Sequence, residues 1–253
     1  YIENDYVDEI DTDSLVGEVI EEIVNRLDPH SVYIPALERQ SIAENMQGNF
    51  SGIGVSFFMY KDSVTIIRVL EGGPSEVAGL LAGDRILIAN EDTLFQKNYP
   101  SEKIIYSLKG KPGTYVDLTI YRKTEDKVFQ VEMKRGKVAL PSVDSYYLMD
   151  ETVGYLKINR FSQTTYDEFD LALSDLISKG MEKLILDLRD NPGGYLHTAI
   201  QISNALLQKD QTIVITKSKM GEEEKSISDG NGDFQEGDLI VLVNEQSASA
   251  SEI

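Results

Sequence analysis

Three serines stand close together near the end of the chain, in the run Ser247-Ala-Ser-Ala-Ser-Glu252. The five apolar residues Leu239 to Val243 before them are typical of a strand buried on both faces of a parallel sheet. Asn244-Glu-Gln indicates a turn, and the small residues after it favour the start of a helix. A serine there holds its hydroxyl at the carboxyl edge of the sheet, near backbone N–H groups that no helical bond uses. The run suits acyl transfer, although an ordinary serine-capped helix has the same pattern.

Acyl transfer at a peptide bond requires a nucleophile, a base that takes its proton, and donors for the oxyanion. Successive helical residues point about 100° apart, so at most one of the three serines can face a substrate. A second stretch, Leu-Ile-Leu-Asp-Leu-Arg-Asp-Asn-Pro-Gly-Gly from Leu184 to Gly194, also ends where a buried strand ends. We expect one oxyanion donor beside the serine and one in the pair Gly193-Gly194, where a Cβ would obstruct the scissile carbonyl.

A Ser-His-Asp triad is the alternative source of a base. His197 follows the glycine pair, and Asp187 and Asp190 precede it. However, Asp187 lies inside an apolar strand and His197 in the first turn of a helix, where packing sets the direction of side chains. We therefore do not expect the triad. Lys217 and Lys219 lie in a charged loop and are expected to be solvated.

The composition restricts the function further. The 253 residues contain 24 Lys and Arg against 43 Asp and Glu, a net charge of −19, which argues against nucleic acid or an anionic membrane as partner. There is no cysteine and there are only two histidines, so neither a thiolate nor a multi-histidine metal site is expected, and no cofactor is implied. No apolar run approaches the roughly 18 residues of a membrane span, and nothing at Tyr1 resembles a signal peptide, although a removed leader would leave no trace.

Residues 1–48 have a helical pattern. A first amphipathic helix carries an apolar stripe, and a second amphipathic piece follows it from about Ala36 to Met46. The apolar stripe of the first helix must dock on another surface, which predicts a dimerisation arm, a lid on a neighbouring domain, or an ordinary packed helix. The stripe repeats at spacings of three and four: Leu15, Val16, Val19, Ile20, Ile23, Val24 and Leu27.

Short strands alternate with turns from Asn49 to about Arg135. The expected strands are 53–58, 63–69, 85–89, 115–121 and 127–133, with two short helices at 74–78 and 100–108. Ser51-Gly-Ile-Gly-Val55 opens this region, and its glycines allow consecutive N–H groups to point toward one carboxylate. An exposed strand edge after it can accept an extended peptide as an additional strand. Taken alone, Gly-Ile-Gly is weak evidence for such a nest, because it is more often a bulge or a tight turn.

Residues Glu71 to Leu87 resemble the G-x-P-(A/S)-x-x-A-G-L-x-x-G-D-x-I signature of PDZ domains. The resemblance implies a domain that captures peptide carboxyl termini, with the nest at Gly52, Ile53 and Gly54, followed by Val55, holding the terminal carboxylate. The side chains expected to form its pocket could also be plain core of the domain. They are Ile53, Val55, Ile105 and Leu108.

Strands and helices alternate after Gly136. This order predicts repeated βαβ units and a mostly parallel sheet, with ligands beyond the carboxyl ends of its strands. The expected strands are 154–158, 184–188, 212–216 and 239–243, the helices start near 165 and 196, and 217–237 is expected to be a polar loop.

Together, the order of four motifs resembles the carboxyl-terminal processing proteases, PDZ-containing serine proteases with a crotonase-like core. The motifs are Leu-Asp-Pro-His-Ser at 27–31, the PDZ signature, the Asn-Pro-Gly-Gly stretch and the serine run. The resemblance covers nearly all of the chain and implies an α/β multidomain fold: an N-terminal helical segment (1–48), a PDZ domain (49–135) and a βαβ protease core (136–253).

The resemblance also implies roles for single residues. It makes the middle serine, Ser249, the nucleophile, with the N–H groups of Ala250 and Gly194 as the oxyanion hole. Gly193 and Glu252 are expected to support the site structurally. The general base of the family is a lysine about 25 residues beyond the nucleophile, assisted by a glutamine four residues later. We therefore expect the chain, which stops at Ile253, to be a truncated protease of very low activity.

The expected function is that of a serine endopeptidase that recognises substrate carboxyl termini through its PDZ domain and cleaves the polypeptide. The alternative is a catalytically silent peptide-binding scaffold or pseudo-protease. The expected partners are proteins or peptides with free apolar carboxyl termini, and a homodimer through the N-terminal helices is open. The resemblance implies an extracytoplasmic location, periplasmic or secreted, of the bacterial type.

Overall fold

The computed structural model describes residues 6–8, 11–28, 30–36, 38–60, 62–97 and 99–253. It contains two compact units. We call Gly48–Leu140 the β-rich unit, and the residues up to Gln47 together with Pro141–Ile253 the α/β unit. The domain limits predicted from the sequence stay predictions. Pro29, in the Leu-Asp-Pro-His-Ser motif, and Leu37, in the second amphipathic piece, lie outside the described residues.

The β-rich unit combines a sheet in the order β2-β3-β4-β6-β7 with a separate antiparallel pair of β1 and β8. The two-residue strand β5 pairs with β4. The strands are β1 (Asn49–Gly52), β2 (Val55–Tyr60), β3 (Ser63–Val69), β4 (Arg85–Ala89), β5 (Asp92–Thr93), β6 (Tyr115–Arg122), β7 (Lys127–Lys134) and β8 (Gly136–Ala139); the helices, counted along the whole chain, are α3 (Pro74–Val77) and α4 (Ser101–Leu108).

Alternating apolar residues account for these strands. In β6 the side chains of Val116, Leu118 and Ile120 are buried, whereas those of Tyr115 and Asp117 on either side of Val116 are exposed. This period of two places one face of the sheet on an apolar core that also takes residues from α4. The predicted strands and both short helices of this region are confirmed to within two residues.

The α/β unit starts with helices α1 (Thr12–Asn25) and α2 (Arg39–Gln47). The carboxylate of Asp11 accepts hydrogen bonds from the N–H groups of Asp13 and Ser14, which fixes the start of α1. No residue of α1 is buried. Its apolar stripe is therefore largely exposed among the described residues, which argues against an ordinary packed helix.

A four-stranded sheet in the order β14-β11-β10-β9 forms the centre of the α/β unit. Strands β10, β11 and β14 are parallel, as predicted, whereas β9 is antiparallel to β10. Helix α5 packs against β9, β10 and α6, and buried apolar residues of both helices share one core with the strands. The elements are β9 (Val143–Leu148), β10 (Val153–Ile158), α5 (Thr165–Ser178), β11 (Lys183–Asp187), α6 (Leu196–Leu206), β12 (Thr212–Lys217), β13 (Glu223–Ile227) and β14 (Asp238–Leu242), followed by a 3-10 helix (Ser249–Glu252).

Two predictions for this unit are wrong. Strand β14 is not buried on both faces: it lies at the sheet edge, α5 packs against β9 and β10 instead, and Ile240 is 59% exposed. Strand β12 does not join the parallel sheet, because it pairs in antiparallel fashion with β13, inside the stretch expected to be a polar loop. Among the described residues, no helix is long and apolar enough to cross a membrane.

Candidate active site

Asn191 connects the two loops that leave the carboxyl ends of β11 and β14. Its side-chain amide donates to the carbonyl of Ile158 at the end of β10 and accepts from the N–H of Gly193. Its own carbonyl accepts from the N–H of Ala248, 3.1 Å away, and from the hydroxyl of Ser251, 3.0 Å away. Asn191 is fully buried. One residue therefore fixes the glycine pair through its side chain and the serine run through its backbone carbonyl, a role that sequence reasoning missed because Ile158, Ala248 and Ser251 lie far away in the chain.

Ser249 begins the 3-10 helix in a backbone conformation that is unusual for a serine. Its φ is +55°, in the left-handed region that L residues other than Asn and Asp seldom occupy. The carboxylate of Glu252 accepts from the N–H of Ser249 at 2.6 Å and holds this turn closed. The His30 Nε2 atom lies 3.7 Å from the same carboxylate. Strain of this kind is concentrated at functional sites, where the surrounding structure maintains it.

The hydroxyls of the three serines have different surroundings. That of Ser247 donates to the carbonyl of Leu188 and accepts from the N–H of Asn244. That of Ser251 is buried and donates to Asn191, as described above. Ser249 is exposed, and its hydroxyl forms no hydrogen bond with any residue that the structure describes. Two of the three hydroxyls therefore serve the local fold and one is available.

Two N–H groups beside Ser249 are also available. Within the described part of the chain, neither the N–H of Gly194 nor that of Ala250 donates to a protein acceptor. On both sides of Gly194 the backbone is fixed by Phe161, which donates to the carbonyl of Gly193 and accepts from the N–H of Tyr195. The predicted oxyanion donors therefore lie on a backbone that is already ordered, and their role stays a prediction.

The glycines themselves are explained by contacts within the chain. A Cβ on Gly193 would lie 2.5 Å from the carbonyl oxygen of Ala248 and 2.8 Å from both the Ala250 nitrogen and the Ser249 Cβ. A Cβ on Gly194 would meet the carbonyl of Phe161. The chain's own backbone therefore already accounts for both glycines, and the expectation that a Cβ would obstruct the scissile carbonyl stays a prediction.

Asp187 lies beneath the glycine loop and is fully buried. The guanidinium of Arg189 and the hydroxyl of Tyr155 both donate to it, at 2.6 Å at their shortest. The hydrogen bonds from Arg189 hold the pKa of the Asp187 carboxyl well below its usual range. The pKa of Tyr155 is raised, mainly because the hydroxyl is buried and also because it donates to Asp187. Asp187 is thus an ionised anchor for the loop.

These contacts argue against the triad. The carboxylate of Asp187 is occupied by Arg189 and Tyr155, and Asp190 accepts from the side-chain amide of Asn244. His197 is exposed on α6, and no hydrogen bond to Ser249 or to either aspartate is found among the described residues. The side chain of Lys217 pairs with Glu223 within the β12–β13 hairpin.

The predicted peptide-binding nest lies at the start of β2, an edge strand. The carbonyls of Ile53 and Gly54 accept from Ser75 and Leu70, which fixes the loop, and Gly54 has a φ of +78°. The N–H groups of Ile53 and Gly54 find no acceptor among the described residues. Of the expected pocket, Ile53 and Leu108 are buried in the core, Val55 is half-buried and Ile105 is exposed.

Known protein families match the part of the chain that contains the serine run and the part that contains the predicted peptide-binding nest. The sequence profile of peptidase family S41 matches residues 152–253, and that of the PDZ domain matches residues 51–133. Probable CtpA-like serine proteases of Staphylococcus aureus (strain N315) and Staphylococcus haemolyticus (strain JCSC1435) are 34% and 32% identical over 256 residues, covering all of this chain and 50% of each relative. The chain thus spans about half the length of these curated relatives. A solved structure of the photosystem II D1 C-terminal processing protease has 21% identity and a TM-score of 0.45, covering 100% of this chain and 68% of that one.

Proposed function

We propose that the chain, which matches peptidase family S41 over residues 152–253 and the PDZ domain over residues 51–133, is the nucleophile-bearing part of a serine endopeptidase that processes proteins near their carboxyl termini. The resemblance to PDZ-containing processing proteases and the α/β multidomain fold class are confirmed. The reaction, the substrates and the residues that act belong to the proposal.

The observation that carries the proposal is the pairing of one available hydroxyl with two available N–H groups. In the proposed reaction Ser249 attacks the scissile carbonyl, and the developing oxyanion accepts hydrogen bonds from Gly194 and Ala250. The turn needs no rearrangement, since Glu252 and Asn191 already hold it. Donors fixed in advance at the oxyanion are typically the largest single contribution to such catalysis.

The base in this proposal is a lysine C-terminal to Ile253 in the longer protein. The curated relatives are about twice as long as the matched region, and the described residues offer the Ser249 hydroxyl no basic hydrogen-bond partner. A serine without a base is a poor nucleophile at neutral pH. The same observation favours a second candidate function, a silent scaffold that binds peptides and cleaves nothing.

Hydrolysis by chains of two lengths separates the two candidates. The 253-residue chain is expected to cleave a flexible peptide at a barely measurable rate, and a protein extended through the lysine and its glutamine is expected to cleave it readily. Turnover is followed by mass spectrometry. Equal rates for the two chains would mean that an internal base acts, and no cleavage by the extended protein would leave the scaffold function.

Recognition is proposed to occur at the nest of the PDZ domain. A terminal carboxylate would accept from the N–H groups of Ile53 and Gly54, and the preceding residues would pair with the free edge of β2. We propose substrates with a free apolar carboxyl-terminal residue, because the apolar Val55 opens this edge strand and its side chain is only half-buried, and because Ile105 on α4 is exposed.

Amidation of the peptide terminus is expected to weaken binding by about tenfold or more, since a charge-assisted hydrogen bond is worth roughly 1.5–3 kcal/mol. Isothermal titration with matched acid and amide peptides measures this difference. The variant Gly54→Val is expected to weaken the binding of both peptides. Gly54 has a φ of +78°, and a Cβ on it would lie 3.3 Å from the Cα of Gly73. Gly79→Val, with a φ of +74° and open space around it, is the matched control. Equal affinity for acid and amide would contradict the proposed nest.

Location and assembly complete the proposal. We propose that the protein acts outside the cytoplasm and that α1 mediates a homodimer. The support for the dimer is the uncovered stripe of α1, in which Val16 and Val19 are both more than half exposed.

A further inference from the structure

A cavity of about 390 Å³ lies directly beside the glycine pair, within the α/β unit. One wall is the backbone of Pro192, Gly193 and Gly194, and a second is the segment from Asn159 to Phe161. The third wall comes from an unexpected part of the chain, helix α2, which contributes Ile42, Asn45 and Met46. The function proposed above assigns no role to this helix.

Helix α2 is tied to the core at this point. The carbonyl of Met46 accepts from the N–H of Gln163 at 2.9 Å, and the side chain of Asn45 accepts from the guanidinium of Arg160 at 3.4 Å. Ile42 and Met46 are one helical turn apart, so they present their side chains on the same face. The third wall is therefore anchored, and its two apolar side chains are half-buried.

We propose that this cavity binds the side chain of the substrate residue whose carbonyl Ser249 attacks, and that Ile42 and Met46 set the size it accepts. This inference rests on the proposed protease function. A carbonyl oxygen held about 3 Å from the N–H of Gly194 places the Cα of the same residue against Gly193 and Gly194. The side chain on that Cα then has the adjoining cavity within its reach.

The lining identifies the class of side chain. Ile42, Met46, Phe161 and Pro192 supply apolar walls. The guanidinium of Arg160 already donates to the side chains of Asn159 and Asn45, so it is partnered within the chain. An apolar side chain of the size of Leu, Met or Phe fits this environment, because it removes apolar surface from water and leaves no polar group unpaired.

Cleavage preferences of the full-length protein test this inference. Four peptides differ only in the residue before the scissile bond, which is Ala, Leu, Phe or Glu, and kcat/KM is measured for each. The wild-type protein is expected to favour Leu over both Ala and Glu by about tenfold or more. Met46→Phe, which narrows the cavity, is expected to lower the Leu-to-Ala ratio about tenfold, and Met46→Ala is expected to raise the Phe-to-Leu ratio by a similar factor.

Met220→Phe and Met220→Ala are the matched controls, since Met220 is 91% exposed in the turn between β12 and β13, and they are expected to leave both ratios unchanged. Ile42→Ala replaces Met46→Ala as the widening variant where the latter does not fold.

Leu-to-Ala and Phe-to-Leu ratios that stay constant in the Met46 and Ile42 variants of an active protein would overturn the cavity assignment and leave the protease function standing. A preference for Glu would overturn the apolar assignment. No cleavage of any peptide by the full-length wild type would overturn the protease function and this inference together.

Discussion

The variant Ser249→Ala of the full-length protein is expected to lose at least about 10⁴-fold in kcat/KM, because removal of a nucleophile leaves only the contribution of substrate binding and the oxyanion donors. Ser247→Ala and Ser251→Ala are expected to retain substantial activity. Their hydroxyls donate to the carbonyls of Leu188 and Asn191, and the loss of such a bond costs about 1 kcal/mol of stability. The carbonyl of Asn191 also keeps its bond from the N–H of Ala248.

Peptide binding at the PDZ domain supplies the internal control for this series. All three variants are expected to bind an apolar acid-ended peptide with wild-type affinity, since the nest lies in the other compact unit. Full activity of Ser249→Ala together with its loss in Ser247→Ala or Ser251→Ala would refute the assignment of the nucleophile, even if the chain proves to be a protease.

The sequence predicts the strand-to-helix transition at Ser249 correctly because that signal is local. A run of apolar residues followed by Asn244-Glu-Gln and small polar residues has few other solutions. What distinguishes Ser249 from its neighbours is not local, since the acceptors of Ser247 and Ser251 lie 59 and 60 residues away. Only the resemblance to a family could select the middle serine from the sequence.

Burial was the least predictable property of the fold. Leu239 to Val243 are all apolar, as in a doubly covered strand, yet β14 ends the sheet and Val243 is 59% exposed. Composition indicates how much apolar surface a strand offers but not which helix covers it. The hairpin of β12 and β13 illustrates the same limit, because the charged residues Glu223 to Lys225 give a loop pattern although their backbone pairs fully with β12.

Asn191 was missed for a related reason. In the sequence Asp-Asn-Pro-Gly-Gly it appears as a turn residue. The structure uses both its side chain and its carbonyl to join β10, the glycine loop and the serine run. Its complete burial and its several partners could be found only once those elements were placed side by side.

The variant Gly193→Ala is expected to lower kcat/KM by about 10² to 10³-fold, comparable to the loss of an oxyanion donor. Its Cβ would collide with the Ala248 carbonyl, the Ala250 nitrogen and Ser249. Because these are backbone atoms or a Cβ, no side-chain rotation can relieve the contact, and the serine turn must move away from Gly194. In the proposed mechanism, the N–H groups of Gly194 and Ala250 would then no longer donate together to the oxyanion.

The matched control is Gly180→Ala, which separates this collision from the general cost of placing alanine at a positive φ. Gly180 has a φ of +96° against +95° for Gly193, but the nearest atom to its added Cβ is 3.8 Å away. Both variants therefore carry a similar backbone strain of about 1–2 kcal/mol, visible as a lower Tm, and only Gly193→Ala displaces the serine turn. Activity and thermal unfolding are measured on both. Equal and small losses of activity in the two variants would mean that the contact between Gly193 and the serine turn does not position the nucleophile, because strain alone would then account for the effect.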